Sequence, residues 1–210
     1  MRVRVEPIQD HTLPLLLLAL LGLLGFLSPW TLASSAPMTL NAFDLAEWTS
    51  LHPAQRHTSP PLLAPLLLRA QLVFLTLVLA LAASGRPWKV ISAVAVILLA
   101  LAQLPPFEYV YDIANVNYRQ QFLLALVSLI GGLVALRARH RRVTWILLFL
   151  LPIVGIVTAF TGFTQAIDVY RQLLPIASTG LGPWLLTASY VGISAVCLRA
   201  LGPRASNAMN

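Results

Sequence analysis

The chain has 210 residues, of which 58% are hydrophobic and 10% are charged. A soluble domain usually has about 45–50% apolar and about 25% charged residues, so this composition excludes an ordinary soluble protein. The net charge of +7 comes mostly from short segments between apolar runs, which favours an orientation signal over nucleic-acid binding. The sequence therefore predicts an all-α, polytopic integral membrane protein whose surroundings are the lipid bilayer, with no nucleic-acid partner.

Six apolar segments recur along the chain, and no polar segment between them is long enough for a second domain. Most of the segments can cross a hydrocarbon core of about 30 Å as a helix. We therefore expect a single transmembrane domain over residues 1–210, a bundle of about six helices. The predicted helices are 13–33, 62–83, 88–104, 121–136, 143–163 and 184–201.

The start of the chain has some features of a secretory signal peptide. Arg2 and Arg4 precede the first apolar run, and small residues follow it. The run exceeds the usual apolar length of about 7–15 residues, and Pro37 follows the most natural cleavage position. We expect an uncleaved first transmembrane helix.

The cations predict an orientation. If the helices alternate in direction, ten of the fourteen lysines and arginines fall on one side of the bilayer. Such a bias marks the cytoplasmic side. We therefore expect a multi-pass protein of the plasma (inner) membrane with both termini in the cytoplasm and with outer loops at 34–61, 105–120 and 164–183. Trp30 and Trp184 are expected at the outer membrane interface, and Trp88 and Trp145 at the inner one.

The first outer loop contains a predicted short helix, 42–52. Asn41 followed by Asp44 is typical of a helix cap, and Pro53 ends the pattern. Two interpretations remain open. In the first, Asp44, Glu47 and Trp48 form a docking surface for another subunit. In the second, the helix is a simple structural cap over the bundle.

Arg69 is the one ionisable residue expected well inside an apolar segment, and intramembrane charges usually mark function. Pro65 suits the first turn of a helix, so Arg69 would lie near the outer interface. One interpretation is an anchor that snorkels outward, toward the membrane surface or an outer-loop acid; the other is a buried ion pair or a contact with an anionic ligand. The candidate acidic partners are Asp44, Glu47, Asp112 and Asp168.

A Tyr-Arg-Gln triplet occurs twice, at Tyr118-Arg119-Gln120 and Tyr170-Arg171-Gln172. Asp112 precedes the first triplet and Asp168 precedes the second, at different spacings. The repetition indicates either coincidence or a duplicated hairpin. Both arginines and both aspartates are retained as candidate docking or ion-pair residues.

Cofactor and metal chemistry find little support in the sequence. His52 and His57 have the spacing of a metal-binding pair, but Pro53 interrupts the helix that would align them. His11 and His140 lie at helix ends, whereas haem held between helices needs ligands within them. We expect no cofactor and no metal.

Function is the least determined property. Catalytic motifs such as Gly-x-Ser-x-Gly are absent from the sequence, and Cys197 has no neighbouring histidine, so we expect no enzyme. Four small-x3-small patterns beginning at Ser128, Gly131, Gly155 and Ala188 permit close helix packing, either within the bundle or with another subunit. We expect a non-catalytic membrane subunit that scaffolds or docks within a larger membrane protein complex; the alternative is a small transporter or permease subunit.

Overall fold

The computed structural model describes residues 7–33, 39–51, 63–138, 140–173 and 177–201. These residues form seven α-helices, two short 3-10 helices and three short strands. In chain order the elements are a 3-10 helix Ile8–His11, α1 Thr12–Leu27, β1 Thr31–Ala33, β2 Thr39–Leu40, α2 Ala42–Leu51, α3 Ala64–Ala82, α4 Arg86–Ala102, a 3-10 helix Phe107–Val110, α5 Val116–Ala135, α6 Arg141–Leu173, β3 Ala177–Thr179 and α7 Gly182–Leu201.

Five helical segments in the described part of the chain are long and apolar enough to cross a membrane. They are α3, α5, α6, α7 and the first segment, in which the leading 3-10 helix extends α1 to Ile8–Leu27. The predicted third span corresponds to α4, which has 17 residues and lies at the lower limit of spanning length. The predicted helical architecture is thus present, and the count of six spans stays a prediction.

Helix α3 lies at the centre of the bundle. It packs against α1, α2, α4, α5 and α6, whereas α7 packs against α1 and α6. The most apolar stretch of α3 is 72% buried, compared with 22–33% for the other four candidate spans. Most side chains of α3, polar ones included, therefore contact other helices and are not at the surface of the bundle.

Helix α1 ends earlier than predicted. The sequence analysis extended it to residue 33, but Pro29 restricts the residue before it to extended backbone. Ser28 has that conformation, with φ −73° and ψ 159°, so the helix stops at Leu27. The chain then enters strand β1, which an all-α prediction did not contain.

The three strands form a small antiparallel sheet in the order β2-β1-β3. Thr31 pairs with Leu40 on one side and with Thr179 on the other. The sheet joins the chain after α1 to the chain before α7, and α2 follows β2 directly. We call this end of the bundle, with the sheet and α2, the sheet end.

The opposite end carries the leading 3-10 helix, the α3–α4 turn and the α5–α6 turn, which line one common cavity. Arg86, Lys89, Arg137, Arg141 and Arg142 lie here and are exposed. We call it the basic end.

Two of the segments predicted as outer loops are shorter than expected. Helix α5 begins at Val116 and α6 continues to Leu173, so 164–173 is helix and not loop. Asn115 caps α5 by accepting a hydrogen bond from the Asn117 amide at 3.1 Å. In α6 no proline follows Pro152.

Several small residues of the predicted packing motifs lie between helices of this chain, whereas Ala188 is exposed. A methyl group added at Gly132 would lie 2.6 Å from Val96 Cγ1 of α4, and one at Gly155 would lie 2.6 Å from the Tyr190 ring of α7. Their small size is therefore used for contacts within the bundle.

Two tryptophans expected at the membrane interface are core residues. Trp30 and Trp145 are fully buried. The indole N–H of Trp30 donates to the Gly25 carbonyl at 3.0 Å, and its ring meets Phe163 edge-on. Trp184, by contrast, is exposed.

Candidate functional site

Arg69 lies in the second turn of α3 and is buried, with 3% of its side chain exposed. Its Nη2 donates to Glu47 Oε1 of α2 at 2.7 Å. Its Nη1 donates to Asn117 Oδ1 at 2.6 Å and to Gln120 Oε1 at 3.3 Å, both at the start of α5. One guanidinium thus connects three helices.

The Glu47 carboxylate has a second donor. Gln121 Nε2 donates to the same oxygen, Oε1, at 2.5 Å. Glu47 is 31% exposed, so its charge keeps some contact with the surroundings while that of Arg69 does not. We call these residues the arginine cluster: Glu47, Arg69, Asn117, Gln120 and Gln121.

The arginine cluster bears on the two interpretations of Arg69. The side chain is buried and paired with an acid of the first outer loop, which is the ion pair of the second interpretation, and its position at a membrane interface stays a prediction. Among the four candidate acids, Glu47 is the partner. Guanidinium and carboxylate meet through one oxygen, and Nη1 is directed to two amide oxygens.

The chemistry available to the arginine cluster is that of a neutral, hydrogen-bonded junction. Burying an unpaired charge is very costly, and a buried pair is tolerated when further hydrogen bonds satisfy both groups. The amides of α5 supply those bonds here. The arrangement fixes α2 across the end of the bundle and leaves no net charge inside it.

A small cavity adjoins the arginine cluster. It has a volume of about 10 Å³ and is lined by Phe43, Arg69, Leu72, Gln103, Gln121 and Leu124. That volume suits one water molecule. Within the described residues, Arg69 Nε and Gln103 Oε1 are buried without a hydrogen-bond partner.

A second polar cluster lies on the face of α3 that meets α6 and α7. Gln71 Oε1 accepts from the Tyr190 hydroxyl at 3.0 Å. Gln71 Nε2 donates to Thr158 Oγ1 at 3.0 Å and to the Leu67 carbonyl at 2.9 Å. The amide is fully satisfied, so Gln71, Thr158 and Tyr190 form a structural network.

Asp44, Glu47 and Trp48 of α2 have different roles. The helix cap predicted at Asn41 is present, because Asn41 Oδ1 accepts from the Phe43 and Asp44 amides at 2.8 and 3.0 Å. Glu47 is directed to Arg69, whereas Trp48 is 45% exposed. The predicted helix end at His52 lies outside the described residues, as does His57.

The remaining predicted site residues do not join the arginine cluster. Asp112 accepts from the Asn115 side chain at 3.1 Å and is exposed, as are Arg119, Asp168 and Arg171. Asp168 and Arg171 belong to α6 and not to an outer loop. The structure brings together two of the eight predicted residues, Arg69 and Glu47.

The two Tyr-Arg-Gln triplets occupy different structural positions. The first lies in the opening turns of α5 and the second in the closing turns of α6. Gln120 contacts Arg69, and Tyr170 is buried. Duplicated hairpins would place the triplets at equivalent positions, so this geometry favours coincidence.

The sequence analysis missed the three amide side chains of α5 in the arginine cluster. Asn117, Gln120 and Gln121 are spaced i, i+3, i+4 and share one helix face. This spacing is visible in the sequence, but the predicted helix began at residue 121, so Asn117 and Gln120 were assigned to a loop.

Comparison of the chain with models of protein families, with curated proteins and with solved structures found no match. Among the described residues, no three histidine, cysteine, aspartate or glutamate side chains cluster in a way that holds a metal ion.

Proposed function

We propose that the protein is a non-catalytic, multi-pass subunit of the plasma membrane that docks another membrane protein through helix α2. The observation that carries the proposal is the division of α2 into two sides. The inner side is fixed to the bundle by the Glu47–Arg69 pair and by buried Leu45 and Ala46. The outer side presents a stripe available to a partner.

The outer stripe consists of Asp44, Trp48 and Leu51, which are spaced i, i+4, i+7 and share one face. Trp48 is 45% exposed and Leu51 is 80% exposed. Tryptophan is enriched among the residues that contribute most to binding at protein interfaces. A helix already held in place loses little conformational freedom on association.

The stripe also defines the chemistry of the partner. An aromatic and an aliphatic side chain beside a carboxylate fit an apolar groove that carries a lysine or arginine at its edge. We propose that this groove belongs to the outer surface of a second membrane protein, because α2 lies across the end of a bundle of apolar helices.

Site-specific photo-crosslinking in native membranes tests the docking. A photoreactive amino acid at Trp48 or Leu51 is expected to capture the same protein, at a peptide containing a cation. The control position is Leu98, which is 60% exposed on α4 and outside the stripe. Asp44→Arg is expected to abolish the capture at both α2 positions. Capture at Leu98 equal to that at Trp48, or insensitivity to Asp44→Arg, would contradict the proposal.

A further inference from the structure

A polar cavity of about 150 Å³ opens at the basic end. The leading 3-10 helix, the end of α3, the start of α4, the end of α5 and the start of α6 line it. Its polar lining side chains are Gln9, Ser84, Lys89, Arg141 and Thr144. Among the residues that the structure describes, the lining contains two cations and no acidic residue.

The two cations are available to a ligand. Lys89 and Arg141 are exposed, and within the described residues neither side chain makes a hydrogen bond or an ion pair. Gln9, from the 3-10 helix, adds another polar side chain to the lining. Clustered cations with free donors favour an anion that accepts several charge-assisted hydrogen bonds, as a phosphate group does.

The size of the cavity agrees with a phosphate group. A cavity of about 150 Å³ in another protein admits benzene, and a phosphate has fewer heavy atoms than benzene. A single phosphate therefore fits with room for the atoms that esterify it.

An apolar depression adjoins the polar cavity. It is lined by Gly85, Arg86, Lys89, Val90 and Ala93, so Lys89 belongs to both. Val90 and Ala93 lie further along α4, toward the middle of the bundle. A ligand that fills both spaces has an anionic head and an apolar tail.

We propose that the basic end binds an anionic phospholipid, with its phosphate between Lys89 and Arg141 and an acyl chain along Val90 and Ala93. Basic pockets between membrane helices are typical sites for such headgroups. The proposal depends on the membrane location of the chain and is independent of the docking through α2.

Lipid binding to the purified protein in mild detergent tests the proposal. Native mass spectrometry would compare phosphatidylglycerol, phosphatidylcholine and inorganic phosphate. We expect phosphatidylglycerol to bind most tightly. Lys89→Gln and Arg141→Gln are each expected to lower the affinity for phosphatidylglycerol about fivefold, and the double variant is expected to lower it about thirtyfold.

Matched variants separate the site from the overall charge. Arg142→Gln removes an exposed cation from the same end but outside the cavity, and it is expected to leave the affinity within about twofold. Lys89→Arg keeps the positive charge and is expected to retain binding, which would assign the loss in Lys89→Gln to the missing charge. Equal weakening by Arg142→Gln and Lys89→Gln would overturn the proposal.

The source of the phosphate is tested separately. Ala93→Phe fills the depression and is expected to weaken long-chain phosphatidylglycerol more than a short-chain analogue. If inorganic phosphate binds as tightly as the lipid and with the same dependence on Lys89 and Arg141, the assignment to a lipid is wrong.

Discussion

At the scale of single residues, the unequal exposure of Arg69 and Glu47 has a consequence for stability. Arg69 is 3% exposed and Glu47 is 31% exposed. An ion left without its partner is costly in proportion to its burial. The two halves of the pair are therefore not equivalent.

We predict that Glu47→Leu lowers the free energy of unfolding more than Arg69→Leu does. The first leaves a buried guanidinium uncompensated, at a cost of about 3–5 kcal/mol. The second leaves a carboxylate that stays partly solvated, and we expect about 1–3 kcal/mol. Unfolding in detergent measures both, and the double variant is expected to recover part of the loss. Equal, small effects would contradict the buried pair.

Lysine is predicted to replace Arg69 poorly. An ammonium is a compact charge, whereas the Arg69 guanidinium reaches Glu47, Asn117 and Gln120 in one plane. We expect Arg69→Lys to lower the unfolding temperature, whereas a surface control, Arg119→Lys, leaves it unchanged. Full retention of stability would favour the anchor interpretation instead.

The Gln71 network gives a further prediction. Tyr190→Phe removes the donor to Gln71 Oε1 in a fully buried site and is expected to cost about 1–3 kcal/mol. The control Tyr111→Phe changes a hydroxyl on a side chain that is 80% exposed and is expected to be neutral. A second change, Gln71→Met, is expected to reduce the cost of Tyr190→Phe, because no buried acceptor remains unpaired.

At the scale of elements, close approach between helices depends on particular glycines. A methyl group at Gly25 of α1 would lie 2.5 Å from the backbone nitrogen of Leu186 in α7. One at Gly131 of α5 would lie 3.1 Å from Leu77 Cδ2, the end of a flexible side chain. The backbone of Leu186 cannot shift locally to make room for a methyl group, whereas the end of the Leu77 side chain can.

We therefore predict opposite responses to the same substitution. Gly25→Ala is expected to destabilise by about 1–3 kcal/mol through overpacking. Gly131→Ala is expected to be near neutral, because a helix propensity gain of up to about 1 kcal/mol offsets the small adjustment of Leu77. Thermal unfolding in detergent compares them, and similar losses would show that packing does not distinguish the two sites.

At the scale of the whole molecule, the two ends of the bundle differ in charge. The basic end carries exposed cations. At the sheet end, exposed Arg119 and Arg171 are accompanied by exposed Asp112 and Asp168. The positive-inside rule then predicts that the basic end is cytoplasmic.

Cysteine labelling tests that orientation. In a Cys197→Ala background, cysteines at Asn115 and Ser178 of the sheet end are expected to react with an impermeant thiol reagent in intact cells. A cysteine at Ala138, exposed at the basic end, is expected to react only after permeabilisation. The reverse pattern would invert the orientation.

Features that depend on neighbouring residues could be predicted from the sequence alone. Long apolar runs produced the helices, and Asn41 with Asp44 determined where α2 begins. Pro65, within the first residues of α3, marked that helix start. These signals are local, because backbone geometry and capping depend on residues a few positions apart.

Contacts between residues far apart in the chain could not be predicted, because they depend on how the helices pack. Glu47 and Arg69 are 22 residues apart, and Gln121 lies 74 residues from Glu47, so their contact depends on how α2, α3 and α5 are aligned. The same alignment buries Trp30 and exposes Trp48, although both are tryptophans near helix ends. Side chains of one chemical type are placed inside or outside by helix packing, and packing follows from long-range contacts that no local pattern specifies.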